Sequence, residues 1–125
     1  WFENNGDGEF SDSQVISSEV RGINAVMTAD LDDDGDQDIL STSSVSGADG
    51  EIAYVLSTAG TFASKSVIAT NLSQAQSIDA ADLNGGGTPD VVGASFRGDR
   101  IAWYRNSLLQ GFGFTPRQSI FGDDE

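Results

Sequence analysis

The chain contains no cysteine and no histidine among its 125 residues. Without cysteine there can be no disulfide, no thiolate zinc site and no thiol nucleophile. Without histidine the commonest general base and the commonest transition-metal ligand are gone, and with them every Ser–His or Cys–His dyad. Any metal must be held by oxygen, which points to calcium or magnesium. Basic residues are also scarce, with 6 Lys and Arg against 20 Asp and Glu and a net charge of −14. Such a chain repels phosphate backbones and anionic lipid, so no nucleic-acid partner is expected. No apolar run approaches the ~20 residues of a membrane span, so no membrane insertion is expected either. Periodicity near 3.6 is absent, and 15 glycines interrupt every segment, which argues against helix. No signal peptide is visible, and the chain opens on Trp1 rather than Met. It therefore reads as a processed product or as part of something longer.

What is present is repetition. ADLDDDGDQDIL starts at Ala29, and ADLNGGGTPDVV starts at Ala81, 52 residues later. IAYVLSTAGTF from Ile52 is answered by IAWYRNSLLQGFGF from Ile101, and WFENNGDGEF at the N-terminus fits the same slot with its IA missing. On this alignment Trp1, Ala53 and Trp103 correspond, as do Phe10, Phe62 and Phe114. A period near 50 with four short strands per unit is the signature of propeller blades. Within one unit the strands are expected at Ile23–Asp30, Asp38–Ser43, Ile52–Ser57 and Phe62–Ala69, each rich in β-formers and bounded by Gly, Asn, Asp and Ser. Small residues on strand one (Ala25 and Ala29, then Ser77, Ala80 and Ala81) suit an innermost strand close to an axis.

The expected fold class is all-β, with four-stranded antiparallel propeller blades. Residues 1–17 would form half a blade of two strands, 21–70 a full blade, 72–120 a second, and 121–125 the start of the next linker. Ten strands result. A closed propeller needs about 4–8 blades. Two and a half would leave edges that invite pairing, so a larger or an oligomeric propeller is expected.

The chemistry concentrates in one turn. Asp30, Asp32, Asp34, Gly35 and Asp38 spell D-x-D-x-D-G-x-x-D. Alternate residues of a tight loop point inward, so positions one, three and five can offer carboxylates to one centre. Asp36 would add its backbone carbonyl and Asp38 would close the shell. Gly35 supplies the positive φ that bends the loop. A hard cation with 6–8 oxygen ligands fits, and calcium tolerates an irregular loop better than magnesium. Without a cation, carboxylates this close repel by roughly 1–4 kcal/mol per pair. The second loop carries Asp82, Asn84, Gly86, Thr88 and Asp90. Gly86 removes one ligand and the carboxylates fall from four to two, so this loop should bind more weakly, with water in the gap, or not at all. An EF-hand would need an acid where Ser41 stands, and flanking helices in place of strands.

Two further features have simpler readings. NNGDG (Asn4–Gly8) is a hairpin turn rather than a ligand loop, because N-G and D-G favour primed turns. The aromatic residues of strand three (Trp1, Phe2, Tyr54, Trp103, Tyr104) suit packing between blades, with a sugar-stacking platform as the alternative.

ADLDDDGDQDIL followed by IAYV or IAWYRN resembles the FG-GAP/VCBS-type repeat of integrin α-subunits and of many bacterial and algal surface proteins. WFEN…GDGEF…QVIS resembles its VCBS-type version, and the likeness runs over essentially the whole chain. It implies an integrin-like, multi-bladed propeller, often of seven blades, with Ca2+ in the loop joining strands one and two. Carried over, the ligands would be Asp30, Asp32, Asp34, Asp36 (by its carbonyl) and Asp38. The pattern is broken at Gly86, which leaves Asp82, Asn84, Thr88 and Asp90 as the weaker set.

The functional expectation is an extracellular or cell-surface module, rigidified by calcium, that presents loops to a protein or glycan ligand and meets the rest of a propeller, or other copies, through its blade edges. Catalysis by this segment is not expected, since carboxylates held on calcium are poor proton donors. Two other readings remain: part of a calcium-containing, polysaccharide-degrading propeller, and a purely architectural repeat of a surface filament.

Overall fold

The computed structural model describes residues 1–45 and 49–121. Among these there are ten strands and one short 3₁₀ turn, Leu108–Gln110. No helix is long and apolar enough to cross a membrane. The strands are β1 (Ile23–Ala29), β2 (Asp38–Val45), β3 (Asp49–Val55), β4 (Ser57–Thr58), β5 (Thr61–Phe62), β6 (Ser66–Ala69), β7 (Ala75–Ala81), β8 (Asp90–Ser95), β9 (Arg100–Ser107) and β10 (Gly113–Phe121). They form two four-stranded antiparallel sheets, β1-β2-β3-β6 and β7-β8-β9-β10, with β4 and β5 as a small ladder of their own. The all-β class and the four-stranded antiparallel unit are as the repeat pattern leads one to expect.

The two sheets repeat in detail. β1 carries an irregularity between Ile23 and Ala25, and β7 carries the same one between Ala75 and Ser77. Ladder partners also match: Leu40 lies opposite Tyr54, and Val92 lies opposite Trp103. Trp103 therefore corresponds to Tyr54 and not to Ala53. IAYV and IAWY align from their first residue, so the aromatic sits at the third place in both. The hairpins fix the rest of the register. Phe10 bridges Asn4, Phe62 pairs with Ser57, and Phe114 pairs with Asn106. Trp1, Tyr54 and Trp103 are thus one set, and Asn4, Ser57 and Asn106 another.

Strand four departs from the expected Phe62–Ala69. It is broken into β5 and β6, because Phe62 belongs to a tight hairpin whose turn residues, Ala59 and Gly60, both have positive φ (49° and 78°). This is the backbone sign that a two-residue primed turn requires. The chain then shifts register by one residue before Ser66 pairs with Tyr54. Strand three starts at Asp49 rather than Ile52, since the β2–β3 ladder extends to Val45 opposite Asp49. Residues 1–17, expected to hold two strands, contain none of the ten; they form a hairpin held by the single Asn4–Phe10 bridge and by N–H donation from Asn5 to Glu9, Ser11 to Glu3 and Gln14 to Trp1. Gly6 and Gly8 take positive φ in its turn. Residues 122–125, expected to open the next linker, lie outside the described residues.

The core lies between the sheets. Leu31, Leu40 and Ile52 from the first meet Ala75, Val91 and Tyr104 from the second, with Leu72 from the connection. Approach is close because glycine stands where a side chain would collide. A Cβ on Gly93 would fall 2.5 Å from Ile52 Cδ1, and one on Gly50 would fall 1.8 Å from the Leu72 carbonyl oxygen. Aromatic pairs repeat at the joints: Trp1 meets Phe62 edge-on at 5.9 Å, and Tyr54 meets Phe114 at 5.4 Å. Two asparagines pin one sheet to the other. Asn24 Nδ2 donates to the Ala75 carbonyl at 2.8 Å, and Asn106 Nδ2 donates to the Leu31 carbonyl at 2.7 Å.

Two substitutions at this joint should act with opposite signs. Asn106→Ala leaves the buried Leu31 carbonyl without its donor and should destabilise by about 1–3 kcal/mol. Thr42 is fully buried and its Oγ1 has no partner, so Thr42→Val should be neutral or stabilising by about 1 kcal/mol. Urea titration of both variants checks this, and a destabilising Thr42→Val would show that the hydroxyl is satisfied.

Candidate metal centre

The β1–β2 loop is shaped by its own carboxylates. Asp30 accepts from the N–H groups of Asp34 at 3.2 Å and Gly35 at 3.0 Å, which curls the loop back on its first residue. Asp33 and Gly35 take positive φ (60° and 92°). Aspartate adopts this conformation more readily than most residues. Asp38 is fully buried, and one oxygen accepts from Leu31 N–H at 2.8 Å while the other accepts from Ser57 N–H at 2.7 Å. One carboxylate thus ties the start of the loop to the start of β4.

Three of the five first-loop residues come together: Asp30, Asp32 and Asp38 each place a carboxylate oxygen within 4.8 Å of the other two. Asp32 Oδ1 is buried and has no hydrogen-bond partner. Burial pushes the Asp32 carboxyl above the ordinary carboxylate range, and the neighbouring charges of Asp38 and Asp34 push it further. Burial also raises Asp38, against the two N–H groups that stabilise its anion. Asp34 stands differently. Its Oδ1 accepts from Asp36 N–H at 2.9 Å and its Oδ2 from the Thr58 hydroxyl at 3.4 Å. The Asp36 side chain accepts from Ala59 N–H at 2.7 Å, outside the carboxylate cluster.

The β7–β8 loop repeats the scaffold with fewer charges. Asp82 accepts from Gly86 N–H at 3.0 Å and Gly87 N–H at 2.9 Å, as Asp30 does from its loop. The Gly87 N–H in particular holds the Asp82 carboxyl below the usual range. Asp90 is buried and accepts from Leu83 N–H at 3.1 Å and Asn106 N–H at 2.8 Å, the same two places that Asp38 occupies. Asn84 Oδ1 accepts from Gly86 N–H at 2.8 Å, and Thr88 is half-buried nearby in the chain. With Asn84 in the place of Asp32, this loop assembles no acidic triad.

Sequence reasoning gave Asp38 and Asp90 a ligand role and missed their structural one. The signal was available: aspartate follows the first loop aspartate by eight residues in both repeats, whereas the acids between them are lost in the second. Thr58 and Ala59, which the β4–β5 turn brings to Asp34 and Asp36, were also missed, because nothing in STAG marks it as a neighbour of the loop.

Asp32 and Asp38 are raised in the folded chain, so ionising them costs folding free energy. Without divalent cations their contribution is fully present below the ordinary carboxylate pKa and is lost as pH rises through the raised values. Asp32→Asn should therefore stabilise the cation-free chain at neutral pH, on the order of 1 kcal/mol, and flatten its stability profile on the acid side. Thermal melts in a chelator across that range check the sign.

Comparison with curated proteins and with solved structures returned no match. Residues 1–41, from the N-terminal hairpin through the first acidic loop to Ser41 in β2, match the model of the FG-GAP-like repeat. Over these residues the chain is similar to an FG-GAP-type repeat.

Proposed function

We propose that the first loop is a calcium site that stiffens an extracellular binding module, and that this segment is not itself an enzyme. The observation that carries the reading is the orphaned, buried Asp32 Oδ1 beside Asp30 and Asp38. An unpartnered carboxylate oxygen inside an acidic cluster is unfavourable for a chain that has only water around it. A hard cation turns the same arrangement into a stabilising one. Asp30, Asp32 and Asp38 would hold it, and Asp34 and the Asp36 carbonyl are the further oxygens within the same loop. Calcium supplies positive charge there, and this chain's residues supply the scaffold: Asp38 keeps its N–H partners while its remaining lone pairs serve the ion.

Affinity in the range of extracellular modules, about 10⁻⁴–10⁻³ M, suits a loop of this openness. That range in turn favours a cell-surface or secreted setting, where calcium is abundant. Carboxylates neutralised by a cation stay ionised and donate protons poorly, which favours binding over hydrolysis. The partner class that fits is a protein or a glycan met by loops of the repeat.

Calcium added at ten to a hundred times such a Kd should stabilise the chain by about 1.4–2.7 kcal/mol. Asp30→Ala should abolish that gain, and Asp32→Asn should abolish it while raising the calcium-free baseline. An unchanged melt on chelation would overturn the reading. In the second loop, Asn84→Asp restores the carboxylate that Asp32 supplies in the first, beside Asp82 and Asp90. Isothermal titration should then find one more calcium site per chain than in the wild type.

A further inference from the structure

The joint between the sheets has two unlike sides. On the first sheet Leu31, Leu40, Ile52 and Tyr54 face the second, and the first three are at most 1% exposed. On the second sheet Tyr104, Asn106 and Phe114 receive them: Tyr54 packs on Phe114, and Asn106 donates to the Leu31 carbonyl. The same giving side recurs, uncovered, on the other face of the second sheet. By ladder register Leu83, Val92, Ile101 and Trp103 are the equivalents of Leu31, Leu40, Ile52 and Tyr54. Leu83 is 51% exposed and Ile101 is 39% exposed, with Trp103 half-buried beside Arg105 and Asn84. The receiving side recurs as well, on the N-terminal hairpin. Phe2, Asn4 and Phe10 are the equivalents of Tyr104, Asn106 and Phe114, and the two phenylalanines are 60% and 63% exposed.

We propose that a second copy of this chain docks there, its N-terminal hairpin seated on the outer half of the open face of β7–β10. Phe10 of that copy packs on Trp103, as Phe114 packs on Tyr54 and Phe62 on Trp1. Asn4 donates to the Leu83 carbonyl, as Asn106 donates to the Leu31 carbonyl. Charge is divided to match. The hairpin region, residues 1–20, carries Glu3, Asp7, Glu9, Asp12 and Glu19 with no Lys or Arg, whereas Arg100 and Arg105 border the open face beside Ile101 and Trp103. Opposite local charge orients the encounter even between chains of equal net sign. The contact is head-to-tail, so each added copy leaves the same two sides open and association continues into a ring or a filament. A bare sugar-stacking role for Trp103 is the competing occupant of this face.

Sedimentation of the whole 125-residue chain decides the matter. The wild type should gain mass with concentration. Trp103→Asp and Phe10→Asp should each stay monomeric, with circular dichroism showing that both remain folded. A mixture of the two should form a one-to-one dimer and stop there, because only one intact joint can be built. Asn4→Ala should weaken association up to about tenfold, and Arg105→Glu should weaken it too. The proposal fails if the wild type stays monomeric at every concentration, if the mixture does not pair, or if association survives both aspartate substitutions. It also fails if an oligosaccharide binds at Trp103 of a chain that remains monomeric.

Discussion

A buried carboxylate that accepts two backbone N–H groups is what the rest of each repeat depends on. Asp38 joins Leu31 to Ser57, and Asp90 joins Leu83 to Asn106. Removing an anion from water is costly, and two charge-assisted bonds from fixed N–H groups offset much of that cost. In return the bond positions two things at once. The loop leaving the first strand of the repeat is held at Ser57 or Asn106, and Leu31 is set as a fully buried core residue. The second loop keeps this arrangement with only two carboxylates, so the scaffold rests on N–H donors. The acidic cluster of the first loop is an addition to a frame that stands in both repeats.

Between sheets, the fit rests on paired small and large residues and on two amide pins. Gly93 admits Ile52 and Gly50 admits the Leu72 carbonyl, so the backbones come nearer than side chains on both surfaces would allow. Apolar packing alone would permit sliding. Asn24 and Asn106 prevent it, since each donates to one particular carbonyl of the neighbouring unit, and a slip would strand buried polar groups. Register is therefore set by polar bonds, while apolar contact supplies most of the attraction.

The repeat, the strand content and the acidic loop were legible because each is written in local pattern: the spacing of ADLDDDGDQDIL and ADLNGGGTPDVV, alternation within strands, and aspartates at alternate positions. What local pattern does not carry was lost. Trp103 was matched to Ala53 although IAYV and IAWY both carry a ring at the third place, and the ladder partners Leu40 and Val92 fix Trp103 against Tyr54. The break in strand four was hidden because Phe62 reads as a strand residue whether it continues a long strand or closes a hairpin; the positive φ of Ala59, an unfavoured choice for alanine, is a tertiary result. Asp34 looked equivalent to its neighbours at positions one and three. Its carboxylate is instead engaged by Asp36 N–H and the Thr58 hydroxyl, a residue 24 positions away.

The composition of the open face also says what it is adapted to. A contiguous apolar patch on an outward face is unfavourable in water. Leu83, Val92, Ile101 and Trp103 hold apolar residues at the places where Leu31, Leu40, Ile52 and Tyr54 are covered. By contrast the acidic positions of the loop beside it differ between the repeats: Asn84 and Gly86 stand where the first loop has Asp32 and Asp34. Apolar character kept at four joint positions beside a ligand position surrendered in the same unit is the pattern of a surface shaped for burial, whereas a surface shaped for water would have changed first at the joint.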